Sequence, residues 1–231
     1  MIRRGVTSRP RWMYVFFSFS LCFTAATARP QTYPTPYPRE NARSVLSNDR
    51  VNVWQVIWPK GQPTAMHEHP FDQLSVTLSG GTVRVTRLGR EPVVNHSTVG
   101  SVAFTSKGTV HTEEGLSDVP QRKIMLELKP SPPTDAVSSP REGAVKLLEN
   151  DRLIAWEFTW KTGQTVPRHQ NQLDSVTVFI EGGTISFLPE HGSATYSTKS
   201  AGEVVYTPHS QRPQIEQAVR GSPRAVIVEL K

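Results

Sequence analysis

The sequence predicts an all-β chain made of two tandem antiparallel β-barrels packed about a pseudo-two-fold axis, and three observations predict it. The first is a duplication. Asn48-Asp49-Arg50 returns as Asn150-Asp151-Arg152, and Glu127-Leu128-Lys129 returns as the terminal Glu229-Leu230-Lys231, a shift of 102 positions at both ends. The same shift pairs Trp54 with Trp156, Trp58 with Trp160, Gly61 with Gly163, Asp72 with Asp174 and Gly100 with Gly202, with no net insertion. A repeat of this kind means one unit built twice. The second observation is a series of short runs rich in β-branched and apolar residues, punctuated by Gly and Pro, which is strand patterning. The third is that no stretch carries a sustained helical period. Strands in such a series close into double-sheeted, jelly-roll-like barrels, which remove exposed sheet edges and enclose a ligand-sized interior.

Taken in order, residues 1–28 carry Arg3, Arg4, Arg9 and Arg11, an apolar run from Trp12 to about Phe23, and then Ala26-Thr27-Ala28. Basic, apolar and small residues in that order describe a cleaved secretory signal, and the run is too short for a permanent span. The expected location is therefore periplasmic or secreted, with no permanent membrane anchor. The four leader arginines account for four of the formal +6 charge and leave +2 for the remainder. So small a charge, without a basic run, argues against a nucleic-acid partner. The one cysteine, Cys22, lies in the leader, so the expected mature chain has no disulfide and no thiolate ligand. Any metal must be held by nitrogen and oxygen donors.

Residues 29–47 hold prolines at 30, 34, 36 and 38 and read as an extended arm without chemistry of its own. The first barrel is expected over 48–129, with strands at Val51–Trp58, Leu74–Leu78, Thr82–Thr86, Ser101–Phe104 and Lys123–Leu128. A Pro- and Ser-rich linker follows over 130–149, and the second barrel over 150–231. Trp54, Val56 and Trp58 share one face of a strand, matched by Ile154, Trp156, Phe158 and Trp160. Recurring at equal positions in both copies, these tryptophans read as core or inter-barrel packing rather than as a stacking platform for substrate.

Within the first copy, His67 and His69 are two residues apart, so on a strand both imidazoles point the same way. Neutral imidazole is the commonest protein ligand of divalent transition metals. The spacing of Gly61, His67, His69, Gln73 and Gly80 resembles the first motif of the cupin family, with Gln73 where the family has Glu. Gly100, Ser106, Gly108, His111 and Gly115 resemble the second motif, with Ser106 in place of Pro and Gly115 in place of Asn. The resemblance implies cupin-type barrels, paired as single cupin domains pair in dimers. It also implies a metal held by His67, His69 and His111, with Gln73 fourth or beside it. Gln73 brings a neutral amide where a carboxylate would be charged, leaving the ion its full +2 and favouring anionic chelating substrates.

A shift of 102 keeps His67 as His169, but turns His69 into Asn171, Gln73 into Ser175 and His111 into Pro213. One imidazole cannot hold a transition metal, so the second barrel is expected to be metal-free. His209 falls opposite Lys107, a poor place for a replacement ligand. Gln211, Arg212 and Gln214 read as a solvated barrel mouth or as contacts for an organic ligand. Glu113, two residues beyond His111, is a candidate catalytic base or substitute ligand if the strand continues that far, with Glu114 facing away; a turn before Gly115 is the alternative. Arg84 could greet a substrate carboxylate or simply face solvent, and His96 and His191 read as surface residues.

Three-histidine relatives of this fold include iron-dependent dioxygenases, so the resemblance implies a dioxygenase acting on a small organic substrate. Fe(II) is the favoured cofactor, ahead of Mn(II), Ni(II) or Zn(II). Two alternatives stay open: a non-catalytic cupin that binds or senses a small molecule or metal, and an isomerase or lyase using the metal as a Lewis acid. The expected partner is a small-molecule ligand, with a homodimer left open.

Overall fold

The computed structural model describes residues 31–132, 134, 136–209 and 212–231. The leader expected at 1–28 lies outside them. None of the described residues is helical, and among them no helix is long and apolar enough to cross a membrane.

The first half contributes β1 (Ala42–Ser47), β2 (Val51–Trp58), β3 (His67–Glu68), β4 (Asp72–Ser79), β5 (Gly81–Arg87), β6 (Val93–Ser97), β7 (Val102–Thr105), β8 (Val110–Gly115) and β9 (Gln121–Leu128). They form a five-stranded sheet in the order β1-β2-β9-β4-β7 and a four-stranded sheet in the order β3-β8-β5-β6. The second half repeats the scheme with β10 (Val145–Glu149), β11 (Leu153–Thr159), β12 (Thr165–His169), β13 (Asp174–Glu181), β14 (Gly183–Pro189), β15 (Thr195–Lys199), β16 (Val204–Thr207), β17 (Gln214–Arg220) and β18 (Arg224–Leu230). Its sheets run β10-β11-β18-β13-β16 and β12-β17-β14-β15, so the topology is the same strand for strand. Every strand pair is antiparallel, which gives two double-sheeted barrels, each from one contiguous stretch of chain. Both begin one strand earlier than the sequence boundaries, because β1 lies in the stretch read as arm and β10 in the stretch read as linker.

The alternation of strand residues decides what each face meets. In β4, Leu74 and Val76 are fully buried in a cluster that also contains Val176, Val178, Val226 and Val228 of the second half. The alternate residues Gln73, Ser75 and Thr77 are buried too, and they face the barrel interior. The aliphatic row of the sequence thus packs barrel against barrel, and the polar row lies on the inner face. Complete burial of one Val, Leu or Ile contributes about 1.5–3 kcal/mol, so this shared layer is the principal tie between the halves.

Reciprocal ion pairs mark the pseudo-two-fold. Arg50 reaches Asp174 at 3.2 Å, and its counterpart Arg152 reaches Asp72 at 2.8 Å. Arg50 also donates to the carbonyls of Leu230 and Lys231, each at 3.2 Å, and Arg152 to that of Lys129 at 3.0 Å. The repeated Asn-Asp-Arg and Glu-Leu-Lys triplets are therefore the two halves of one junction.

Candidate metal centre

β3 and β8 are neighbours, with His67 directly opposite His111. His69 continues the alignment beyond β3: its N–H donates to the Thr109 carbonyl at 3.0 Å, and its carbonyl accepts from Gly108 at 2.8 Å. The turn that contains Ser106 and Gly108 thus pins His69 just ahead of His111. The three side chains are buried, at 3 %, 2 % and 4 % exposure, and their ligand atoms all lie within 4.8 Å of one another. Among the described residues this is the one such cluster of metal-ligating side chains.

The donor set fits a cation. Nε2 of His69 and Nε2 of His111 are 2.9 Å apart, about the separation of two nitrogens sharing one ion at roughly 2.0–2.1 Å each. His67 directs Nδ1 at the Ala65 carbonyl, 2.9 Å away, the usual device that turns the other ring nitrogen toward a metal. Nδ1 of His69 and Nδ1 of His111 are buried without a partner, so these two rings lack that support. Burial lowers the pKa of all three rings; for His69, with His111 and His67 adding to the effect, it falls to about 4. At neutral pH the imidazoles are neutral and available as ligands.

β8 runs on to Gly115, so Glu113 shares the inward face of His111. Its carboxylate accepts from the Trp58 indole at 3.1 Å and is not among the atoms that converge with the histidines. Burial works against its charge, but His111, His67, Arg39 and Lys123 outweigh that and hold its pKa below the ordinary value. Glu114 faces out and pairs with Arg84 at 2.7 Å, which places Arg84 on the exposed surface and away from the histidines. His96 meets Thr82 on the exposed surface at 2.9 Å, and His191 is exposed. Gly115 stands where the cupin motif has Asn because a Cβ there would lie 2.5 Å from the Trp58 carbonyl.

The arm supplies what the sequence reading missed. Tyr37 is buried, stacks on Trp54 at 4.9 Å, and accepts from Gln73 at its hydroxyl, 3.3 Å away. Gln73, at 1 % exposure, is therefore tied to a residue inserted from outside the barrel. Burial and Glu113 both push the Tyr37 pKa up, so the phenol stays protonated. Arg39 lies 5.6 Å above the Trp58 ring. A signal was present: Pro38-Arg39-Glu40 returns as Pro140-Arg141-Glu142 at the same shift of 102. The duplication begins inside the arm and the linker, and Ser139 stands where Tyr37 does.

The register corrects one assignment in the second barrel. His67 faces His111, whereas His169 faces Gln214; likewise Val85 faces Glu113, and Phe187 faces Glu216. The structural counterpart of His111 is Gln214, not Pro213. One extra residue enters the second copy before β17 and one is lost after it, so the uniform shift hides the change. Glu216, the counterpart of Glu113, accepts two bonds from Arg141 at 2.8 and 2.7 Å and one from the Trp160 indole at 2.7 Å. Trp58 and Trp160, each at 2 % exposure, prove to be barrel-interior residues rather than inter-barrel packing, while Trp54 and Trp156 are half-buried. His209 binds Asp174 at 2.8 Å near the inter-barrel junction, and Gln211 lies outside the described residues.

Solved structures with this architecture include AerE from Microcystis aeruginosa, with a TM-score of 0.61 at 12 % identity, covering 87 % of this chain and 99 % of that one. Salicylate 1,2-dioxygenase from Pseudaminobacter salicylatoxidans matches with a TM-score of 0.60 at 12 % identity, covering 81 % and 75 %. Oxalate decarboxylase from Lactobacillus farciminis matches with a TM-score of 0.56 at 11 % identity, covering 79 % and 77 %. A cupin 2 conserved barrel domain protein from Leptotrichia buccalis matches at 0.53. No family model matches the chain, and no curated protein matches it in sequence. At these identities the likeness shows the fold, a double cupin β-barrel, whose first barrel contains a histidine triad able to hold a metal ion.

Proposed function

We propose that this chain is an exported bicupin whose first barrel holds one divalent metal, Fe(II) in preference, and acts as a dioxygenase on a small organic substrate. The observation that carries the reading is the triad His67, His69 and His111, three neutral buried imidazoles with ligand atoms within 4.8 Å. A bound divalent ion would supply Lewis acidity and, if iron, one-electron chemistry with oxygen. Around it, Glu113 offers a carboxylate oriented by Trp58 that can accept a substrate proton. Gln73 and Tyr37 contribute neutral polar groups nearby. That dioxygenases and decarboxylases share the fold is compatible with this reading. Function belongs to the site, not to the scaffold.

The test is to express the chain anaerobically, measure bound metals by mass spectrometry, and follow oxygen uptake with catechols, β-diketones, flavonols and hydroxy acids. Near-stoichiometric iron with uptake on one class supports the proposal. A second reading, a non-catalytic cupin that binds or senses a small molecule, is favoured by one observation: Tyr37 already occupies barrel interior beside Gln73. Bound metal with tight ligand binding and no uptake on any class would select it. A chain that never retains metal would sink the metal centre itself.

A further inference from the structure

The second barrel has its own cavity, and nothing in the metal reading uses it. Its volume is about 310 Å³, within the roughly 300–1,000 Å³ typical of small-molecule sites. Part of its lining is aromatic and apolar. Trp160 and Phe179 stack at 5.7 Å, and Ile185 and Phe187 extend the same wall. In the first barrel the positions of Phe179 and Phe187 are held by Thr77 and Val85, so the aromatic surface belongs to this copy alone.

The polar side is equally specific. Thr177 and Thr207 line the cavity, and so do Asn171 and Gln214, at the places taken by His69 and His111 in the first barrel. None of these four has a side-chain hydrogen bond to another described residue. All four line the same cavity, so their donors and acceptors are open to whatever enters it.

Charge selects the ligand class. Of the three cationic residues that line the cavity, Arg141 is neutralised by the bidentate bond to Glu216, and Lys199 is held by Glu203 at 2.7 Å. Arg212, exposed at the edge, has no ion-pair partner among the described residues. The cavity therefore presents one uncompensated guanidinium, the carboxamides of Asn171 and Gln214 and the hydroxyls of Thr177, Thr195 and Thr207 beside its aromatic residues. We infer that the second barrel is a metal-independent binding site for a small aromatic organic acid, its ring against Trp160, Phe179 and Phe187 and its carboxylate toward Arg212 and the carboxamides of Asn171 and Gln214. Where the first barrel would meet an anion through a cation on histidines, the second meets it through N–H donors, which suit a carboxylate directly.

The experiment titrates benzoate, and its neutral isostere benzamide, into the full chain stripped of metal with EDTA, by calorimetry or tryptophan fluorescence. One benzoate is expected per chain, with binding unchanged in the His67→Ala/His111→Ala double variant. Benzamide, and benzoate with Arg212→Ala, are expected to bind at least about tenfold more weakly, the cost of one lost charge-assisted contact. Thr177→Trp, which fills the cavity, should abolish binding while thermal unfolding reports a folded chain. If that variant does not fold, Arg212→Ala and benzamide still decide. Binding lost in the histidine double variant, binding indifferent to charge, or no binding at millimolar benzoate would each overturn the inference. Since metal has been removed, these outcomes do not depend on the metal centre.

Discussion

The two barrels share a topology and an Arg-Glu-Trp trio, yet they use the trio in opposite ways. In the second barrel Arg141 grips Glu216 with two hydrogen bonds, and Trp160 adds a third. In the first, Glu113 takes the Trp58 indole alone, while Arg39 sits over that ring with its Nε unpartnered. The closed trio spends its carboxylate on the fold. The open one leaves a carboxylate facing His67 and His111, beside the triad that its twin lacks. A duplicated scaffold can thus commit one copy of a polar motif to stability and release the other for chemistry.

The largest expected effect separates the barrels by metal. His67→Ala or His111→Ala should lower bound metal at least about tenfold, since ligand loss leaves two imidazoles, whereas Gln214→Ala should leave metal content unchanged in the same mass-spectrometric assay. Equal loss in both would break the comparison.

Next come the trios. Arg141→Ala removes the charged partner of a buried carboxylate and should cost about 3–5 kcal/mol, roughly a 10 °C fall in Tm for a chain of this size. Arg39→Ala, which breaks no ion pair, should cost about 1 kcal/mol. Calorimetry of the two variants measures the difference directly.

Tyr37→Ser, which gives the first half the residue of the second, should destabilise by about 2–4 kcal/mol through the void it leaves. The same substitution frees Gln73, so chemical denaturation should be paired with a metal-affinity measurement.

The smallest effect is in pH. The folded His69 pKa of about 4 lies below the ordinary value of 6.5, so between those limits the unfolded chain binds more protons. Stability of the metal-free protein should be complete above pH 6.5 and fall as pH drops toward 4, by an amount of the order of 3 kcal/mol or less from this ring. His67→Ala/His69→Ala/His111→Ala should flatten that slope in urea titrations at several pH values. An unchanged slope would mean that the rings are not buried as described.

Much of this architecture is legible in the sequence because duplication and alternation are local patterns. The repeat of Asn-Asp-Arg and Glu-Leu-Lys brackets both barrels, and Gly and Pro mark the turns. The i, i+2 spacing of His67 and His69 places them on one face, and His111 joins them through strand pairing. What stays hidden are relations no single-strand pattern encodes. Tyr37 joins the interior cluster from a Pro-rich stretch whose composition suggests only extended chain. The counterpart of His111 is displaced by compensating one-residue changes that leave the overall shift intact. The tryptophans read equally well as interior or interface, because alternation separates faces without saying which faces inward. That depends on what the opposite face meets, here the second barrel.

The outward aliphatic rows of β4 and β13 carry a consequence for how such a protein can diversify. Because Leu74, Val76, Val176 and Val178 are satisfied by each other and not by pocket contents, cohesion and cargo are written on different sides of the same strands. A half severed from its sibling would bare a greasy flank and seek a replacement. Joined, the pair can let either chamber drift toward new occupants without loosening the seam that keeps them together.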